Sequence, residues 1–174
     1  MDQLIKELKG KYPKGCTSEL EEIERILQFD KFDSYDALSF GNFIVQLSRD
    51  YAEEIVVLII REKDQIPIFQ FVANQKKQRN IHFAMAKRET VCLTGHCSLW
   101  AMAKQQSEGG LNELFNQDNK CLPVGGAYPI YVNNDLIATV ALSGLHDGLD
   151  HQLIIDALCM YLGKSVPKFT GKLV

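Results

Sequence analysis

The sequence has no apolar run near the ~18 residues that a membrane-spanning helix needs, and its five cysteines form no CxxC pair. It has no excess of positive charge either, because 22 acidic residues outnumber 19 basic ones and leave a net charge of −3. These absences exclude a transmembrane helix, argue against structural zinc, and leave no broad positive surface for nucleic acid. Residues 1–15 lack the apolar segment of a signal peptide, so we expect a cytoplasmic protein with reduced thiols.

Phosphate-binding loops are absent as well, since neither a GxGxxG nor a Walker pattern occurs, and the chain has no internal repeat. The 174 residues are 46% hydrophobic, which is enough to bury a core without disulfides or metal. We divide the chain into an N-terminal arm with a short helix over residues 1–33, an α+β domain over residues 34–165, and a C-terminal tail over residues 166–174.

Two pairs of short apolar segments predict two β-hairpins. The continuous β-branched run Ile55–Ile60 is typical of a buried strand, and Ile66–Val72 predicts its hairpin partner, with Pro67 indicating a sheet edge. The second pair, Tyr128–Val132 and Leu136–Leu142, is joined by Asn and Asp residues that tolerate the positive φ of tight turns. Hairpin strands pair antiparallel, so the sheet is predicted to be mainly antiparallel.

The helical spacing of apolar residues predicts helices before, between and after the hairpins. The predicted helical segments are a short helix capped by Thr17 or Ser18, Ser34–Ala52, Gln75–Leu93, His96–Gln106, the single turn Leu111–Phe115, and Gly148–Leu162. Gly95 and Gly163 are expected to end two of these helices. Together with the hairpins, the helices indicate an α+β fold class.

The stretch from residue 125 to residue 154 combines paired glycines, a Ser-Gly step and an Asp-His pair. One interpretation is structural: the glycines let neighbours approach the backbone, and Asp150 complements the N-terminus of the last helix. The other interpretation is functional: the free N–H groups at that helix start would hold an anion, with His151 in the first turn and Gly125 and Gly126 opposite. The spacing alone leaves both interpretations open.

The segment Thr94–Trp100 is the second candidate for chemistry. His96 and Cys97 flank a helix start, where the helix dipole would lower the pKa of a thiol, so one hypothesis is a Cys–His nucleophile. The other interpretation is a cap in which Ser98 or His96 binds the free backbone N–H groups. A complete set of acid, base and nucleophile is missing, so we assign no catalytic residue.

Basic residues cluster in one predicted helix. The run consists of Lys76, Lys77, Arg79, His82, Lys87 and Arg88. A solvated helix face explains this pattern, and the alternative is a binding site for the carboxylate or phosphate of a small anionic ligand.

Four blocks of sequence together resemble a known family. They are Gly95-His96 followed by Ser98, the block from Gly125 to Ile130, the block from Ser143 to Leu145, and Asp150-His151. The pattern is similar to uncharacterised protein family 0303, which belongs with the haem-degrading-domain, HbpS-like and GlcG-like proteins, and it covers roughly residues 34–162. The resemblance implies a profilin-like, mainly antiparallel sheet of about five strands with helices on both faces. It also implies a homo-oligomer, at least a dimer.

Two departures from the family pattern affect the site. The family's Trp-Ile-x-Arg-Lys corresponds to residues 83–87, so Ala86 takes the place of the arginine and only Lys87 is kept. The family's Gly-His-Ser-Ser reads Gly-His-Cys-Ser, so Cys97 replaces a serine. The first change weakens the expectation of a shared anion site, and the second argues against an essential thiol.

We hypothesise a cytoplasmic, oligomeric small-molecule-binding module without chemistry of its own. The expected ligand-binding residues are Lys87, His96, Ser98, Gly125, Gly126, Ser143, Asp150 and His151. One alternative is a haem- or corrinoid-handling protein with His96 or His151 as the iron ligand. Further alternatives are a hydrolase that uses Cys97 or Ser98, and a scaffold or assembly protein. Neither a metal site nor a nucleic-acid or membrane partner is expected.

Overall fold

The computed structural model describes residues 12–111, 120–171 and 173. The α-helices in this part of the chain are α1 (Cys16–Ile26), α2 (Ser34–Leu47), α3 (Gln78–Thr94), α4 (Ser98–Ser107) and α5 (Asp147–Leu162). The strands are β1 (Val56–Arg61), β2 (Ile66–Val72), β3 (Ala127–Val132) and β4 (Asp135–Ser143). Most of the predicted arm and of the predicted turn at Leu111–Phe115 lies outside the described residues.

The strands form one sheet in the order β2-β1-β4-β3, and every neighbouring pair is antiparallel. This confirms both predicted hairpins and the α+β fold class. The expected number of about five strands is wrong for the described residues, which contain four. The fifth strand was implied only by the resemblance, whereas the apolar patterns of the chain itself encode two hairpins and therefore four strands.

The two hairpins differ in local detail. Asn133 and Asn134 connect β3 to β4 with φ values of 51° and 67°, the positive values that a two-residue turn of type I′ requires. In the first hairpin, β2 is an edge strand as predicted, and its Pro67 lies where the register shifts between Ile59 and Ile60.

Helices cover both faces of the sheet, as expected from the resemblance. The face that we call the α5 face buries side chains such as Ile59 and Val140 in the main core, beneath α1, α2, α4 and α5. The opposite face, the α3 face, buries Leu58 and Ala141 against Ala84 of α3. Because neither face of β1 meets water, a continuous apolar run is favourable there.

Capping residues mark the start of α2 and the end of α3. Helix α2 begins after Asp33, whose carboxylate accepts hydrogen bonds from the backbone N–H groups of Tyr35 and Asp36. The helix ends at Leu47, before the predicted end at Ala52, because a short 3-10 helix follows it. Helix α3 ends at Gly95 as predicted, with a left-handed φ of 74°. No helix among the described residues combines the length and the apolar character needed to cross a bilayer.

Candidate functional site

A buried ion pair joins the helices on the two faces of the sheet. The Lys87 ammonium of α3 donates a hydrogen bond of 2.8 Å to the Asp150 carboxylate of α5, and the two side chains are 2% and 1% exposed. The same ammonium donates to the backbone carbonyl of Leu142 at 3.3 Å. We call the Lys87–Asp150 pair the cross-sheet ion pair. Lys87 and Arg88, two members of the predicted basic run, are buried. The interpretation of the run as a solvated helix face is therefore wrong for these two residues.

The paired glycines make room for this ion pair. Gly126 accepts a 2.6 Å hydrogen bond from the Leu142 N–H, and its φ of +121° is one that L side chains rarely adopt. A Cβ at this position would lie 2.8 Å from the Lys87 ammonium and 2.9 Å from the Asp150 Cβ. Gly125 is buried in the bend just before β3. The close approach predicted for the paired glycines is therefore present at Gly126.

Asp150 also orders the chain at the start of α5. Its second carboxylate oxygen accepts a 3.1 Å hydrogen bond from the backbone N–H of Leu145, just before the helix begins. Ser143, at the end of β4, is buried opposite Val56 of β1. These contacts support the structural interpretation of this stretch, in which small and acidic residues turn the chain and complement a helix start.

His151, the neighbour of Asp150 in the sequence, is not part of the cross-sheet ion pair. Its side chain is 1% exposed, and its Nδ1 has no hydrogen-bond partner among the described residues. Burial lowers its pKa to about 3, so the imidazole is neutral at physiological pH. The ring of Tyr128 lies at a centroid distance of 6.5 Å from the imidazole. An imidazole nitrogen without a hydrogen-bond partner is costly to bury.

A cavity of about 540 Å³ reaches His151. It lies between α5 and the segment that follows α5 in the chain. We call it the His151 cavity, and its lining includes Ile23, His151, Ile155, Val166, Lys168, Phe169 and Leu173. Its volume falls in the range of roughly 300–1,000 Å³ that is usual for ligand pockets, and its lining is mainly apolar.

His96 lies in a different place, against helix α1. Its Nδ1 is 2.7 Å from one Glu24 carboxylate oxygen, and the other oxygen accepts a 2.6 Å hydrogen bond from the Cys97 backbone N–H. The imidazole stacks on Trp100 with a centroid distance of 4.2 Å. Sequence reasoning missed Glu24. Its spacing after Leu20 places an acidic residue on the apolar face of α1, and that exception to the pattern was the available signal.

The arrangement around Cys97 and Ser98 excludes the thiolate nucleophile. Burial is the main cause that raises the pKa of the Cys97 thiol well above its usual value, and the negative charge of Glu24 is the second cause. The Ser98 hydroxyl instead accepts a 2.9 Å hydrogen bond from the Ala127 N–H. The cap predicted from Ser98 or His96 is also wrong, since neither side chain caps α4. The Glu24 carboxylate of α1 instead accepts the hydrogen bond from the Cys97 backbone N–H at the start of α4.

The expected site residues therefore do not converge on one cavity. Lys87, Gly126 and Asp150 meet in the cross-sheet ion pair, whereas His151 lines its own cavity. His96 faces a shallower pocket that it shares with Glu24. Ala86, in the place of the family's arginine, is followed by the buried Arg88, which donates to the Glu62 carboxylate through Nε at 3.1 Å.

The Glu24–His96 contact predicts a shifted titration. The hydrogen bond to Glu24 raises the pKa of His96 above about 6.5, so Glu24→Gln should bring that pKa back down. Titration of the imidazole resonances by NMR measures this directly. Glu22→Gln, on the same helix but paired with Arg25, is the matched control and should leave the His96 pKa unchanged. An unaltered pKa in Glu24→Gln would contradict the contact.

Comparisons with known proteins agree on the fold. A family model described as haem degrading protein HbpS-like matches residues 32–159. A UPF0303 protein of Streptomyces avermitilis is 31% identical over 147 residues, which cover 83% of this chain and 89% of the relative. The crystal structure of the Ybr137w protein has a TM-score of 0.78 at 22% identity, over 94% of this chain and 95% of the other. A crystal structure of a PduOC–haem complex has a TM-score of 0.65 at 16% identity, over 74% of this chain and 93% of the other.

Proposed function

Since this chain belongs to the HbpS-like family, we propose that it is a small-molecule-binding module whose ligand occupies the His151 cavity. The single observation that carries the proposal is the unpaired Nδ1 of the buried His151. A buried polar atom without a partner costs free energy, and a ligand that binds it recovers that cost.

The walls of the cavity indicate the chemistry of the ligand. Ile155, Phe169 and Leu173 supply apolar surface, which favours a largely apolar molecule. Lys168 lies on the same lining and is exposed at its rim, so it favours a carboxylate on the ligand. The ligand class that fits both features is an apolar ring system bearing carboxylate groups.

Haem is the first member of this class to test. It combines an apolar macrocycle with two carboxylates, and the PduOC relative in fold was crystallised as a haem complex. A neutral imidazole is a usual axial ligand of haem iron, and the depressed pKa of His151 keeps its imidazole neutral. His151 would hold the iron, and Lys168 at the rim would pair with a carboxylate. When bound, haem supplies an iron centre, and this chain supplies binding and exclusion of water.

We expect a haem titration to give a saturable shift of the Soret band with the wild-type protein. His151→Ala should weaken haem binding at least tenfold, because the imidazole that would bind the iron is lost. Two other histidine variants serve as matched controls. His82→Ala removes an exposed imidazole, and His96→Ala removes the one that stacks on Trp100, so both should bind haem as the wild type does.

Two results would contradict the proposal. A wild-type protein that gives no saturable shift would exclude haem as the ligand. A loss of the shift in His96→Ala, with retention in His151→Ala, would move the site to the Glu24–His96 pocket. Circular dichroism of each variant checks that the fold is intact.

Several expectations from the sequence stay predictions. The homo-oligomer, the cytoplasmic location and the absence of catalysis belong to this proposal, as does the scaffold alternative. The participation of Lys87, Ser98, Gly126 and Asp150 in ligand binding also stays a prediction, but it is separate from the site proposed in the His151 cavity. Their contacts within the protein, described above, favour a structural role for each of them.

A further inference from the structure

The segment after α5 forms one wall of the His151 cavity. Residues 164–171, which we call the strap, contain no helix or strand and run back across α1. We infer that the strap is a gate for the His151 cavity and that a hydrogen-bonded contact between Thr170 and Glu19 holds the gate closed. This inference rests on the proposed function for its biological meaning, but the gate itself can be tested without a ligand.

The contact at Thr170 is the closing point of the strap. The Thr170 backbone N–H donates to the Glu19 carboxylate at 2.8 Å, and the Thr170 hydroxyl donates to the two carboxylate oxygens at 2.8 and 3.0 Å. We call this contact the latch. Hydrogen bonds to a charged carboxylate are stronger than neutral ones, yet these lie at the exposed surface, where water competes for both partners.

The other end of the strap is tied to the C-terminal end of the same helix. The Lys164 ammonium donates to the backbone carbonyls of Ile26 and Gln28, at 3.0 and 2.8 Å, beyond the last turn of α1. Gly163 ends α5 with a φ of +63°, which turns the chain towards this anchor. The strap is therefore tied at Lys164 and latched at Thr170, with the cavity beneath the part between them.

The residues between the two ties form one wall of the cavity. Phe169 is 9% exposed and packs against Tyr12 at a centroid distance of 6.3 Å, and it lines the cavity together with Val166. The opposite walls come from α5 and from Ile23 of α1, which are regular helices packed in the main core. A segment without backbone ladders opens at a lower free energy than such helices do. The strap is thus the wall that moves.

Chemical labelling of His151 tests the gate in the protein without ligand. Diethyl pyrocarbonate modifies neutral imidazoles that it can reach, and peptide mass spectrometry gives the rate at each histidine. His151 should react slowly in the wild type, because it is 1% exposed. Glu19→Ala removes every bond of the latch and should raise the rate at His151 about tenfold, relative to the exposed His82 and His146 as internal standards.

Two further variants separate the gate from a general loss of stability. Glu22→Ala, on the same helix, removes an acidic residue that contacts Arg25 rather than the strap, and it should leave the rate at His151 unchanged. Thr170→Val keeps the backbone bond of the latch and should raise the rate by about threefold. Equal rates at His151 in the wild type and Glu19→Ala would overturn the gate.

The labelling also distinguishes failure of the gate from failure of the proposed function. If His151 becomes reactive in Glu19→Ala while haem does not bind, the gate stands and haem is the wrong ligand. If haem binds through His151 while Glu19→Ala leaves both the labelling rate and the haem association rate unchanged, the gate is wrong and the binding proposal stands.

Discussion

Lys87→Met should lower the free energy of unfolding by about 3–5 kcal/mol, the cost that is usual when one partner of a buried ion pair is removed. Methionine keeps most of the volume of the lysine stem, so the loss comes chiefly from the Asp150 carboxylate, which keeps a 1% exposed site without this cation. The carbonyl of Leu142 loses the same donor. Urea unfolding, with the midpoint and the slope fitted separately, measures the change.

A double variant shows whether charge or packing accounts for the loss. Lys87→Met combined with Asp150→Leu replaces both charges by apolar groups, and it should recover part of the stability that Lys87→Met loses. Arg25→Met is the surface control, because its pair with Glu22 is largely exposed and should contribute little. A Lys87→Met protein as stable as Arg25→Met would show that the cross-sheet ion pair does not hold the layers together.

The second large effect is a dependence of stability on pH that comes from His151. Its pKa is about 3 in the folded protein and ~6.5 in an unfolded chain. Between these values the unfolded chain binds a proton that the folded protein does not, so acid favours unfolding. The contribution of His151 to the free energy of unfolding is fully present above pH ~6.5. It decreases by about 1.4 kcal/mol for each pH unit as the pH falls towards 3.

The comparison with His151→Gln isolates this contribution. From pH 7 to pH 5 the wild type should lose about 2 kcal/mol more than His151→Gln does, whatever the absolute stability of the variant. His96 acts in the opposite direction, since its pKa is raised and its stabilisation is present below pH ~6.5 and lost as the pH rises. That contribution is common to both proteins and cancels. Parallel pH profiles would mean that His151 is protonated or exposed in the folded state.

The fold followed closely from local patterns. The apolar run predicted as a strand at Ile55–Ile60 forms most of β1 (Val56–Arg61), which is buried on both faces. The Asn133-Asn134 turn closes the second hairpin with positive φ at both residues. The end of α3 at Gly95 was also predictable, because glycine adopts the left-handed conformation without strain. Such features depend on neighbours in sequence, and a single sequence contains that information.

The candidate site was much less predictable from the sequence, because its contacts join residues that are distant along the chain. Lys87 and Asp150 are 63 positions apart, and His96 and Glu24 are 72 positions apart. The sequence showed that these residue types were present, but no spacing rule relates a lysine on one helix to an aspartate on another. The strap shows the same limit, since residues 164–171 have no periodic pattern and are placed by their contacts with α1.

By itself, the sequence determined the two hairpins, the helices that flank them and the small residues that let the chain turn, because hydrophobic periodicity and turn chemistry act between near neighbours. Only the tertiary structure decided which polar residues meet. It buried Lys87 against Asp150, turned Glu24 towards His96, and placed His151, whose buried Nδ1 has no partner among the described residues, on the wall of a cavity under the strap. The physical reason is that packing brings together side chains from separate helices, and burial then sets their charge and their partners.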